Sequence, residues 1–218
     1  MLNIHTHRLI GEKNIYNFII PHEEETLQEG TTYQIPSTWF SAGIHPWYIN
    51  EQHLDQQFYL LRQIAALPQV KFVGECGLDR LKGVDLATQE KVFIQQIRIA
   101  EELKKPLIIH CVKCFGELIS IKKIIRPKTA LIVHGFNNNE QIAQQLLKNG
   151  FYLSFGAAIL KEDSNAQAVL RNTPIEQIFL ETDETEISIE EIYAKAAEIK
   201  HLKIELLEEA VYDNFLTL

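Results

Sequence analysis

Short apolar runs alternate along this chain with longer stretches whose apolar positions recur every three or four residues. The short runs are Leu2–His5, Ile15–Ile20, Phe40–Gly43, Lys71–Glu75, Leu107–His110, Ala130–His134, Phe151–Ser154 and Ile178–Glu181. Each is four to six residues long and rich in Ile, Val, Leu or Phe, the pattern of a buried strand. The longer stretches, near Glu51–Ala66, Leu86–Lys104, Phe115–Ile125, Asn139–Lys148, Lys161–Arg171, Ile189–Ile199 and Ile204–Phe215, read as amphipathic helices. Ile97, Ala100 and Leu103 show the spacing, as do Ile142 and Leu146. Pro68, Pro106, Pro127 and Pro174 fall in the connectors, where a helix must stop. Strands that alternate with helices predict a parallel sheet, and eight of them predict an α/β fold of the (β/α)8 TIM-barrel type. The segment from His7 to Phe40 is too short and polar for two full helices, so the barrel is expected to be trimmed between its first and third strands.

Composition narrows this picture. The 218 residues, 46% of them hydrophobic, suit a single domain over 1–218 with one continuous core. No apolar run is long enough to span a bilayer, and no basic-then-apolar leader opens the chain, so a cytoplasmic protein is expected. Three cysteines, Cys76, Cys111 and Cys114, argue against a disulfide framework. A net charge of −8 opposes non-specific grip on a polyanion, so any nucleic-acid contact should be local.

The candidate chemistry lies at the ends of the strands. His5 and His7 are two residues apart and share one face of the first strand. The third strand ends in Gly43-Ile44-His45-Pro46 and the fourth in Gly74-Glu75-Cys76-Gly77-Leu78-Asp79. The fifth ends in His110, the sixth in His134, and the eighth in Glu181-Thr182-Asp183. Any one histidine here has a bland reading as a satisfied core or surface residue. In a barrel, however, the C-terminal ends of the strands converge where active sites sit. His5, His7, His110, His134, Glu75 and Asp183 together suit divalent cations, with zinc or manganese at home among imidazoles and carboxylates.

These motifs resemble the TatD-type metal-dependent hydrolases of the amidohydrolase-like barrels. The family's D-x-H-x-H is matched at Asn3 to His7, its G-I-H-P at Gly43 to Pro46, and its G-E-x-G-L-D at Gly74 to Asp79. Its H-x-F is matched at His134 to Phe136 and its L-E-T-D at Leu180 to Asp183. The resemblance implies two divalent ions (zinc, manganese or magnesium). His5, His7 and Asp183 would hold one, His110 and His134 the other, and Glu75 would bridge them. Asp183 would take a proton from the water the ions acidify, and His45 would donate to the leaving group or a phosphate oxygen. Asp79 would orient a ligand histidine or cap a turn. Arg80 and Lys113 are the candidate phosphate contacts.

The chain also departs from the family. Asn3 replaces the usual aspartate, Val112 stands where arginine is common, and the substrate loop after Asp183 gives way to Glu184-Thr185-Glu186-Ile187. The resemblance implies a hydrolase of phosphoester bonds, a TatD-like deoxyribonuclease or phosphodiesterase acting on a small phosphoester or a single-stranded DNA end. An amidohydrolase attack on a cyclic amide or lactone, and a non-catalytic metal-binding barrel, remain the alternatives.

Other signals carry less. Cys111-Val112-Lys113-Cys114 admits a redox or zinc reading, but Cys111 should face the helices while His110 faces the site. Trp39 and Trp47 could stack on a base, with core packing the plainer use. His22, His53 and His201 read as surface residues, and Glu23-Glu24-Glu25 as a solvated turn.

Overall fold

The computed structural model describes residues 1–9, 13–23, 26, 31 and 33–218; Glu24 and Glu25 lie outside the described residues. The strands are β1 (Asn3–Thr6), β2 (Asn14–Ile19), β3 (Phe40–Gly43), β4 (Val70–Asp79), β5 (Leu107–Val112), β6 (Leu131–Val133), β7 (Tyr152–Phe155) and β8 (Ile178–Leu180). They follow one another in sheet order β1 to β8, the order of a (β/α)8 barrel. The helices are α1 (Leu54–Ala65), α2 (Leu86–Leu103), α3 (Phe115–Ile125), α4 (Glu140–Lys148), α5 (Asn165–Asn172), α6 (Ile189–Lys200) and α7 (Ile204–Leu216). Among the described residues no α-helix stands between β1 and β3. No helix is long and apolar enough to cross a membrane among the described residues.

Side-chain caps set the helix starts. Asp85, Asn139, Ser164 and Ser188 each accept a backbone N–H from the first turn of α2, α4, α5 and α6. The cap at Ser164 starts α5 four residues later than the apolar spacing suggests. β4 runs four residues beyond Glu75, because Cys76, Gly77, Leu78 and Asp79 pair with Ile109, His110, Cys111 and Val112. Glu75 and Asp79 are thereby both fixed to one strand.

The chain divides into two compact halves, residues 1–15 with 130–218, and residues 16–129. In the first, β6 pairs with β7 and β7 with β8, all parallel, and Thr6 bridges Asp183. Phe151, Phe155, Phe179 and Tyr193 are fully buried there, and Tyr193 Oη donates to the Leu2 carbonyl at 2.8 Å. In the second, β2, β3, β4 and β5 pair in parallel around Phe40, Phe72 and Phe93.

Candidate metal centre

In the first half, the C-terminal ends of β1 and β8 are joined before any ligand chemistry begins. Asn3 Nδ2 donates to Thr182 Oγ1 at 2.9 Å, and its Oδ1 accepts the Thr182 backbone N–H at 3.1 Å. His7 N donates to the Asp183 carbonyl at 3.1 Å, and Asp183 N to the His5 carbonyl at 3.0 Å. The amide at position 3, unlike the family's aspartate, supplies both a donor and an acceptor to this seam. Asp183 Oδ1 then lies 3.6 Å from His5 Nε2 and 3.5 Å from His7 Nε2. Those distances are long for hydrogen bonds. They suit ligands that share one ion, since donors about 2.0–2.1 Å from a tetrahedral cation stand about 3.4 Å apart.

His134 joins the cluster, its ring 4.5 Å from that of His5. Behind it, the buried Glu181 carboxylate accepts from Gly135 N at 2.7 Å with the oxygen that lies 3.3 Å from His134 Nδ1. That carboxylate fixes Nδ1 as the proton-bearing nitrogen, which leaves Nε2 to ligate.

In the second half, Glu75 is the hub and is almost wholly buried. Its Oε1 lies 2.9 Å from His110 Nδ1 and 3.2 Å from His45 Nε2. Asn17 holds it from β2: Nδ2 donates to Glu75 Oε2, and Oδ1 accepts the Glu75 backbone N–H, both at 3.1 Å. On its far side, His110 Nε2 is 3.0 Å from Asp79 Oδ2. Its two ring nitrogens thus each face a carboxylate, Glu75 at Nδ1 and Asp79 at Nε2. Glu75 and His110 thereby bring together a carboxylate oxygen and an imidazole nitrogen, a donor pair that a divalent cation fits.

His45 is placed differently. Its Nδ1 accepts the Trp47 backbone N–H at 3.2 Å, so its Nε2 carries the proton and points at Glu75 as a donor. Gly43, two residues earlier, admits no side chain, because a Cβ there would meet the Glu75 carbonyl at 2.6 Å.

Asp79 is the anchor behind His110. It accepts from Trp47 Nε1 at 2.6 Å and from Leu81 N at 2.8 Å. Burial by itself raises its carboxyl; the bonds from His110, Trp47 and the Leu81 backbone outweigh it and hold the group below the ordinary carboxylate range.

The structure gives the expected phosphate contacts other company. Arg80 is ion-paired with Glu117, and its Nε donates to the Lys113 carbonyl at 3.0 Å. Lys113 is exposed and adopts a left-handed backbone. The cation beside the site's aromatic ring is Lys82, whose Nζ sits 3.6 Å from the Trp47 ring centre. The thiols of Cys76, Cys111 and Cys114 are all pushed up by burial, which makes them poor nucleophiles and poor ligands.

Sequence reasoning passed over Asn17, Lys82, Gln89 and Gln96, and it gave Glu181 no role. Gln89 and Gln96 carried a readable signal. They are buried polar residues seven apart on the apolar face of α2.

A family model described as TatD related DNase matches residues 17–218. A 3'-5' ssDNA/RNA exonuclease TatD from Cronobacter turicensis is 31% identical over 149 residues, 66% of this chain and 56% of that protein. An uncharacterized metal-dependent hydrolase from Buchnera aphidicola is 32% identical over 151 residues, 68% of this chain and 56% of its own length. The chain therefore spans little more than half the length of these relatives. Among solved structures, a TatD homologue from Escherichia coli K12 superposes with a TM-score of 0.75 at 24% identity, covering 96% of this chain and 86% of its own, and so shares the barrel fold.

Proposed function

Since the chain belongs to the TatD-related DNase family, we propose that it is a divalent-metal-dependent phosphodiesterase acting on single-stranded nucleic-acid ends. The observation that carries this reading is the gathering of metal-ligand side chains, with His5, His134 and Asp183 in one cluster and His45, Glu75 and His110 in another. His5, His7 and Asp183 would hold one ion, His110 and His134 the other, and Glu75 would serve both, as the family resemblance implies. Zinc, manganese and magnesium all suit the set. Such ions, when bound, acidify water and offset the charge of a phosphate. Residues 1–218 work as one catalytic domain in this reading, and the free cysteines fit a cytoplasmic setting.

The protein's own groups supply the rest. Asp183, the more exposed carboxylate at 39%, receives the proton of the attacking water. His45 Nε2–H donates to the departing oxygen, a role its Trp47-fixed tautomer prepares. Asp79 and Glu181 hold the ligand rings of His110 and His134 in register.

The test is a screen of phosphodiester, lactone and cyclic amide substrates with each metal added to stripped protein, alongside a direct count of bound ions. Phosphodiester turnover is expected, and Glu75→Gln and Asp183→Asn should each lower it by far more than tenfold, or about 1.4 kcal/mol. Turnover confined to a lactone or amide would assign the same residues to attack on carbon. Stoichiometric ion binding without turnover would make the protein a binding module.

A further inference from the structure

Beside the second cluster, the loop that follows β4 carries an exposed cation and an exposed apolar side chain against a rigid indole. Trp47 is tethered at two points: its Nε1–H donates to Asp79 and its backbone N–H to His45. Its ring stands 4.8 Å from that of His45 and 5.5 Å from that of His110. Lys82 lies over the indole, and Leu81 is 65% exposed next to it. Among the described residues Lys82 makes no ion pair, unlike Arg80 on the same loop. Gly83 makes the arrangement possible. Its φ is +92°, and a side chain there would run into the Pro46 carbonyl, so the loop can press against the turn that bears Trp47.

An indole held at both ends costs little entropy to present. A cation laid on its face is easily exchanged for a base and a phosphate. Stacking on an aromatic ring is worth as much to any base, and a nearby lysine answers the backbone charge. We propose that Trp47, Lys82 and Leu81 form a nucleotide subsite, in which a base of the substrate strand stacks over the indole and the Lys82 ammonium moves to its phosphate. The subsite rests on the phosphodiesterase reading and deepens it: the substrate it selects is a single strand with an unpaired base at this position.

The chain has two tryptophans, so Trp39→Phe leaves Trp47 as the sole indole reporter. Titrating that variant with a cleavage-resistant phosphorothioate oligothymidylate, with magnesium present, should quench its emission saturably. In cleavage assays, Trp47→Ala should raise KM about tenfold for a strand with bases throughout. It should change KM little for one abasic at the position bound here. Trp47→Phe keeps a ring but loses the bond to Asp79, and it should restore the preference for the base-bearing strand. Lys82→Ala should weaken both strands alike and make the slope of log K against log salt shallower by about 0.7.

Absence of quenching overturns the subsite. So does an equal loss on base-bearing and abasic strands in Trp47→Ala, since that is what disturbance of Asp79 and His110 alone would produce. If the wild-type protein cleaves no phosphodiester, the phosphodiesterase reading fails instead. The quenching titration then decides the subsite without it.

Discussion

Asn17 shows how much a single amide can decide. The Glu75 carboxylate must face its partners in a fixed attitude, yet a glutamate side chain has three rotatable bonds. Asn17 removes that freedom by holding the backbone N–H and Oε2 together. Asn17→Ala should therefore lower cation affinity by about ten- to a hundredfold, the usual result of losing a group that orients a ligand. Isothermal titration with the chosen metal reads this directly; unchanged affinity would show that Glu75 needs no such support. Asn17→Asp should be worse than alanine, because a second carboxylate would face Oε2 at about 3 Å. His45 makes a similar point. Sequence gives a histidine after a glycine, and only the Trp47 N–H shows which ring nitrogen holds the proton.

At the scale of elements, α2 is a scaffold for two loops at once. Gln96 clamps Ile44, accepting its N–H at 2.8 Å and donating to its carbonyl at 3.0 Å. Gln89 accepts from Asp79 N at 2.7 Å and donates to the carbonyls of Asp79, Lys82 and Val84. The turn bearing His45 and the loop bearing Lys82 are thus referred to one rigid helix. Gly83→Ala would strain a positive φ and collide with Pro46. It should cost about 1–3 kcal/mol of stability in urea denaturation and raise KM for single strands more than it lowers kcat. A variant with unchanged midpoint and KM would show the loop to be free of that turn.

The strands and helices themselves were legible because their periodicity is local. Phe40–Gly43 and Phe115–Ile125 stand where the apolar pattern places them. The end of β4 was not, because Gly77 and Asp79 belong to it through pairing with β5, which no local pattern records.

For the whole molecule, charge sets the terms of substrate contact. The chain carries −8 net, and Glu184 and Glu186 are exposed just after Asp183. A long polyanion would be repelled over most of that surface, so few phosphates can be held. Binding of a short single strand should release one to three counterions, a slope of log K against log salt of about −0.7 to −2. End-labelled single strands should be cleaved at least tenfold faster than closed circular duplex. Preferred cutting of the circle, or a steep salt slope, would place the substrate surface elsewhere.

The sequence by itself determined the alternation of strands and helices, the barrel class, and the histidines and carboxylates at strand ends. All of these rest on spacing along one chain and on the side chains that spacing exposes. The tertiary structure alone decided which nitrogen of His45 bears the proton, that His110 stands between two carboxylates, that Arg80 is ion-paired with Glu117, and that Asn17 and Gln89 hold the site residues in place. Those facts depend on partners 2 to 58 residues away, whose orientation is fixed by packing rather than by periodicity.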